Sequence, residues 1–241
     1  MSLKIWTLNE LIASPIAEVN YLITPLLQPG GVLLLSGDEK CFKSYLALNI
    51  GYAAATGALV LFKYQVARPL SVLYIEAELG VALLKERATP INFDPESGGK
   101  NFKMISRDLR IQLDTEEGKL LLNKALDEAK PDILILDPIV EFHQQDENLA
   151  IELKKMLLPI RNRMVSTGMG LILIHHNNKM GKPRGSKYLE GLAQCIMKVC
   201  KNDLNSDQII DIDFTLRSAA KPKPMRLKFN EASSSFIWIN Q

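Results

Sequence analysis

The chain has little cysteine: Cys41, Cys195 and Cys200 are the only three in 241 residues. They show neither metal-ligand spacing nor the even count of a disulfide framework, which argues against a zinc module or an oxidised secreted scaffold and for a reducing compartment. Long hydrophobic runs are missing too. The weakly apolar stretch from Ala47 to Phe62 is too short to span a bilayer and is broken by Gly51, Thr56 and Gly57. At the N-terminus, Met1-Ser2-Leu3-Lys4-Ile5-Trp6 lacks a basic region followed by an apolar core, so no secretory signal is expected. A cytoplasmic protein with no membrane partner is the expectation. Neither sign of charge dominates: with a net charge of +2, bulk electrostatics do not announce a nucleic-acid binder, and any such contact must come from locally clustered charge. Internal repeats, heptad arrays and low-complexity segments are absent as well. With 47% hydrophobic and 23% charged residues the composition is that of an ordinary globular protein, and one α/β domain suffices.

What is present starts with Gly37-Asp38-Glu39-Lys40-Cys41-Phe42-Lys43-Ser44. The stretch follows the apolar run Val32-Leu33-Leu34-Leu35, a buried strand by length and composition, and precedes Tyr45 to Ile50, which reads as a helix. Strand, tight loop and a helix opening on Lys-Ser form the context of a phosphate-binding loop, because loop N–H groups and the positive helix terminus face one point. Against G-x-x-x-x-G-K-[ST] the loop matches at Gly37, Lys43 and Ser44 and departs at Phe42, where a glycine belongs. Glycine there permits positive φ, which a phenylalanine makes costly. The alternative is an ordinary strand-to-helix turn with Lys43 and Ser44 on the surface.

Along the chain, residues 1–28 read as a lead-in and 29–241 as one domain opened by the turn Pro29-Gly30-Gly31. Lys43 to Thr56 predicts a helix capped by Gly57, and Leu59 to Tyr64 a surface excursion. Ser71 to Ile75 is the next buried strand, ending in Glu76-Ala77-Glu78. A helix over Gly80 to Thr89 and a short strand over Phe102 to Ile105 follow, then an amphipathic helix, Thr115 to Lys130, with Thr115 as N-cap and Glu116 and Glu117 in its first turn. Ile133 to Leu136 is a buried strand ending at Asp137-Pro138. Asn148 to Thr167 is a helix holding Pro159, and Gly170 to Ile174 is a strand ending in His175-His176-Asn177-Asn178. A basic loop from Lys179 to Lys187 comes next. From Ala193 the pattern turns to shorter β-rich pieces, read as antiparallel strands that extend the sheet. Buried strands alternating with helices imply a mostly parallel sheet, and ligands bind such sheets outside the carboxyl ends of the strands. Gly37 to Ser44, Glu76, Glu78, Asp137 and His175 to Asn178 all fall at that edge.

In this order and spacing, Pro29-Gly30-Gly31, the phosphate loop, Val72 to Glu78, Leu134 to Pro138, Leu173 to Lys179 and Arg184-Gly185-Ser186 resemble the RecA-like P-loop ATPases. Within them they resemble the RepA-like hexameric replicative helicases and related ATPases of plasmids and phages. The resemblance runs from about Leu22 to Ile239 and implies a RecA-like α/β core that binds ATP and Mg²⁺. By the resemblance, the backbone from Gly37 through Asp38, Glu39, Lys40, Cys41 and Phe42 to Ser44 cradles the phosphates, and Lys43 reaches the β- and γ-phosphates. Ser44 and Asp137 hold Mg²⁺, and Glu78 positions the attacking water as general base, with Glu76 as its competitor. His175 and His176 match the paired histidines of the family, and His176 is the residue expected to sense the γ-phosphate. Arg184 matches the arginine that related hexamers insert into a neighbour's site, which implies a homo-oligomeric ring. Lys179 and Lys182 would then face a central channel and touch the backbone of single-stranded DNA, without base stacking, because the loop carries no aromatic residue.

Two departures keep a second reading open. Phe42 allows a nucleotide-binding switch with little turnover, and the absence of an obvious additional module points to a bare motor or an accessory ATPase. A small-molecule kinase sharing the loop would need an acceptor pocket and lid arginines that the sequence does not place.

Overall fold

A computed structural model describes residues 4–15, 20–91, 98–144, 150–177, 187–202 and 208–239. The apolar runs become strands and the segments between them helices, in the order α1 (Leu8–Ala13), β1 (Val32–Gly37), α2 (Lys43–Thr56), β2 (Val72–Glu76), α3 (Val81–Ala88), β3 (Phe102–Ile105), α4 (Glu116–Ala129), β4 (Ile133–Asp137), α5 (Ala150–Thr167), β5 (Gly170–His176), α6 (Lys187–Leu192), β6 (Cys195–Lys201), β7 (Ile209–Leu216), β8 (Met225–Asn230) and β9 (Ser235–Ile239). They build one sheet of order β3-β2-β4-β5-β1-β6-β7-β8-β9. β1, β2 and β4 are buried at every residue, which is why they read as unbroken apolar runs rather than alternating ones.

Alternate residues of the central parallel strands feed two cores. Leu33 and Leu35 of β1 join α2 and the C-terminal strands on one face, and Val32 and Leu34 join α4 and α5 on the other. The helix over Lys43 to Thr56 has its expected bounds, closed by Gly57 at φ 76°. Thr115 caps α4 by accepting from Gly118 N at 3.1 Å, with Glu116 and Glu117 in the first turn.

The C-terminal strands differ from expectation in one respect. β6 runs parallel to β1, pairing Leu33 with Cys195 and Gly37 with Val199, and only β7, β8 and β9 continue antiparallel. The short helix α6 provides the connection that lets β6 enter in the same direction as β1. The expected surface excursion at Leu59 to Tyr64 is also corrected. Val60, Leu61 and Tyr64 are buried in the α2 core, because Leu61 and Phe62 both take positive φ and fold the segment back until Val60 and Tyr64 bridge. Leu22, Ile23, Leu26 and Leu27 also pack into that core. Among the described residues no helix is long and apolar enough to cross a membrane.

Candidate active site

The parallel register places the ends of β2, β4, β5 and β1 side by side, with Glu76 beside Asp137 and His176 beside Gly37. Gly37 has to lack a side chain: a Cβ there would lie 2.2 Å from the carbonyl oxygen of Val199 on β6 and 2.9 Å from Cys41 Sγ. Beyond it, Lys40 and Phe42 both stand at φ 61°. Phe42 thus adopts the left-handed conformation that glycine would supply, and then starts α2, with Leu46 N donating to its carbonyl at 2.9 Å. Its ring stacks on Phe229 of β8 with centroids 4.5 Å apart, and Tyr45 packs on the same ring at 4.6 Å. The side chain that breaks the motif is therefore absorbed by an aromatic cluster, and the strand, loop and helix follow one another as the motif requires.

Lys43 is buried, with Nζ donating to Asp38 O at 2.6 Å and lying 3.6 Å from Cys41 Sγ. The Cys41 thiol donates to the same carbonyl at 2.9 Å, and its burial pushes its pKa up, so it is no thiolate here. Among the described residues the three cysteines are unbonded to one another, and no cluster of His, Cys, Asp or Glu suits a transition metal.

Asp137 is fully buried. Burial raises its pKa, while the Tyr74 and Ser44 hydroxyls and the charges of Arg87 and Lys43 oppose that rise. Tyr74 Oη donates to its Oδ2, and its Oδ1 is buried without a hydrogen bond among the described residues. A hydroxyl and a buried carboxylate oxygen still lacking a partner, next to a phosphate loop, are the oxygen donors a hydrated Mg²⁺ takes, so Ser44 and Asp137 fit that ion.

The two strand-end glutamates divide in role. Glu76 is buried and accepts from Glu78 N at 2.8 Å and Leu79 N at 3.2 Å, with Arg87 Nη1 at 3.5 Å. Burial and the neighbouring Asp137 raise its pKa to about 7. Its oxygens are committed to shaping the turn that presents Glu78. Glu78 is about half exposed, and its Oε1 lies 4.0 Å from His176 Nε2. Burial and the charges of Asp137 and Glu141 raise its pKa, and Arg87 and Lys43 lower it, so its carboxylate lies within electrostatic reach of the loop lysine. His175 is buried opposite Ser36. Asn177 ties β5 to the loop, its N donating to Gly37 O at 2.9 Å and its Nδ2 to Asp38 Oδ1 at 3.1 Å.

Lys43, Ser44, Glu78, Asp137 and His176 are thus gathered at one edge, whereas Lys179, Lys182 and Arg184 lie outside the described residues. Sequence reasoning missed Tyr74 and Arg87. Tyr74 was legible in principle, since period-2 alternation puts it on the same face as Glu76. Arg87, which also sits 4.9 Å over the Tyr45 ring, is one of several charges on α3, and only the fold turns it inward.

A family model described as an AAA domain matches residues 2–182. The chain belongs to that family. The AAA-domain match takes in the phosphate loop, the strand-end acids and the two histidines. The fold of this AAA-domain protein is similar to that of a KaiC-like protein from the hyperthermophilic archaeon Pyrococcus horikoshii OT3, with a TM-score of 0.64 and 14% identity, over 91% of this chain and 94% of the other. It is also similar to the RadB recombinase, with a TM-score of 0.59 and 18% identity, over 85% and 90% of the two chains. Among curated proteins none matches the sequence significantly. The fold is RecA-like: a mostly parallel sheet flanked by helices, with antiparallel strands added at the C-terminal end.

Proposed function

We propose that this protein hydrolyses ATP with Mg²⁺ as a RecA-like motor, assembled as a homo-oligomeric, hexameric ring on single-stranded DNA, in the manner of RepA-like helicases or their accessory ATPases. The reading is carried by the meeting of Lys43 and Ser44 with Asp137 and Glu78, held from three different strand ends. Bound Mg²⁺ would neutralise charge on the β- and γ-oxygens. Lys43 would exchange its Asp38 carbonyl partner for phosphate oxygens, and Ser44 and Asp137 would hold the ion. Glu78 accepts a proton from the attacking water. His176, at 4.0 Å, is placed to register the charge on Glu78. Arg184 of a neighbouring copy supplies charge in trans, and Lys179 and Lys182 take phosphates of the DNA.

Hydrolysis by the wild-type chain, Lys43→Ala and Glu78→Gln, measured with ATP affinity and with or without oligo-dT, tests the reading. Glu78→Gln should lower turnover by about 10²–10⁴ and keep affinity, as loss of a general base does, while Lys43→Ala loses both. Wild-type turnover in Glu78→Gln would overturn it. The switch reading rests on Phe42, and the stacking of that ring on Phe229 supports turnover instead.

A further inference from the structure

The loop after β3 joins two parts of the molecule that the site depends on. On one side, Arg107 Nη1 donates to Glu78 O at 2.9 Å, Arg107 N donates to Leu79 O at 3.1 Å, and Asp108 Oδ2 accepts from Val81 N at 2.8 Å. This arm clamps the turn that carries Glu78. On the other side, Gln112 Nε2 donates to Glu141 O at 2.9 Å and Leu113 N donates to Phe142 O at 2.6 Å, which clamps the segment following β4. Between the arms lies a cavity of about 370 Å³ lined by Arg107, Arg110, Gln112 and Glu141, by the buried Glu76, and by apolar residues such as Leu109. Arg110 lines this space and makes no hydrogen bond or ion pair among the described residues.

We propose that this cavity seats one nucleotide of single-stranded DNA and that Arg107 transmits its arrival to Glu78. The inference rests on the DNA reading above and specifies how DNA would regulate the same site. Its size is at the small end of ligand pockets, which run roughly 300–1,000 Å³, and suits one nucleotide. The chemistry selects the same class. Arg110 offers a planar fork to a phosphate and Arg107 its remaining donors, and the exposed Leu109 side chain offers an apolar surface to a base. The Glu141 carboxylate on the rim accepts from a base N–H, such as thymine N3–H. Arg107 is a positioning residue: a phosphate drawing on its guanidinium alters the one side-chain bond that fixes the Glu78 carbonyl.

The test uses the full chain. The ratio of hydrolysis rates with and without oligo-dT, the salt dependence of oligo-dT binding and the molecular mass are measured for wild type, Arg107→Ala, Arg110→Ala and Arg110→Lys. Arg110→Ala should weaken oligo-dT binding about tenfold at fixed salt, as loss of a charged hydrogen bond does. It should lower the salt slope by about 1 and reduce the ratio, with Arg110→Lys recovering part of both. Arg107→Ala should reduce the ratio more than it reduces binding. A stimulated wild type with an unchanged ratio and slope in Arg110→Ala overturns this inference and leaves the motor reading standing. A loss of mass in Arg110→Ala with unchanged slope assigns the cavity to a neighbouring copy and also overturns it. A wild type that neither binds oligo-dT nor responds to it overturns both readings.

Discussion

Replacing Phe42 sets two opposed effects against each other, and their magnitudes can be worked from the structure. The ring is partly buried, stacked on Phe229 and adjoining Tyr45. Full burial of a phenylalanine is worth about 1.5–3 kcal/mol and an aromatic pair about 0.5–1.5 beyond that, so a half-buried stacked ring contributes about 1–3 kcal/mol. Against it stands backbone strain at φ 61°. An L-residue pays about 1–2 kcal/mol in the left-handed region, of which glycine recovers part and returns about 0.4–1 through its freer unfolded chain. The ring should win. Phe42→Gly is expected to lose about 1–2 kcal/mol, and Phe42→Ala, which keeps the strain and loses the ring, about 1–3 and more than Phe42→Gly. Urea unfolding at constant m-value reads both losses, and titration with an ATP analogue and Mg²⁺ checks that the loop still closes in each variant. If Phe42→Gly proved as stable as the wild type, the ring would not be anchoring the loop as argued, and if Phe42→Ala proved more stable than Phe42→Gly, the backbone there would not be strained as argued.

Two further outcomes follow from groups around the loop. Glu76 has a folded pKa raised to about 7 from an ordinary value of 4.5, so the folded state holds its proton longer than the unfolded chain. The stability this gives is present below pH 4.5 and is lost as pH rises towards 7, by at most about 3 kcal/mol, in protein kept free of divalent metal. Glu76→Gln should flatten that fall when unfolding is compared at acidic and alkaline pH, and parallel profiles for the two proteins would contradict the assignment. Gly37→Ala should drive a methyl into a backbone carbonyl 2.2 Å away on a paired strand, which cannot swing aside. Overpacking costs about 1–3 kcal/mol, or a loss of about 2–12 °C in Tm by thermal unfolding for a chain of this size. An unchanged Tm would mean that β1 and β6 are not held as tightly as their register implies.

The parallel core was legible because its strands are buried on both faces, and burial on both faces leaves runs such as Val32 to Leu35 and Ile133 to Leu136 with no polar interruption. The site was legible for a related reason: in such a sheet the first polar residue after each run falls at the carboxyl edge, so Asp137 and His175 announced their place by ending a run. What escaped was set by tertiary contact. β6 alternates buried and exposed residues as an antiparallel strand would, and its direction is fixed by pairing with β1 after α6, which no local pattern encodes. The inward fold at Leu61 and Phe62 uses positive φ without a glycine to advertise it, and Phe42 does the same in the phosphate loop. Arg87 carries no motif at all; its meaning comes from Glu76 and Tyr45 being on the other side of the space it enters.

The segment that follows β5 begins from a point already tied to both halves of the site. Asn177 bonds through its backbone N to Gly37 O and through its side chain to Asp38, while His176, one residue earlier, faces Glu78. Asp38 is also the residue whose carbonyl holds Lys43. Any movement of Lys43 from that carbonyl towards a phosphate therefore disturbs Asp38, and Asp38 is joined directly to the root of the chain that carries Lys179, Lys182 and Arg184. The loop after β3 reaches Glu78 from the opposite side through Arg107. Glu78 is thereby held between two segments, one anchored on the phosphate loop and one on the cavity beside β2 and β4, so in the proposed reaction its carboxylate is where occupancy of either would alter the other's effect on water activation.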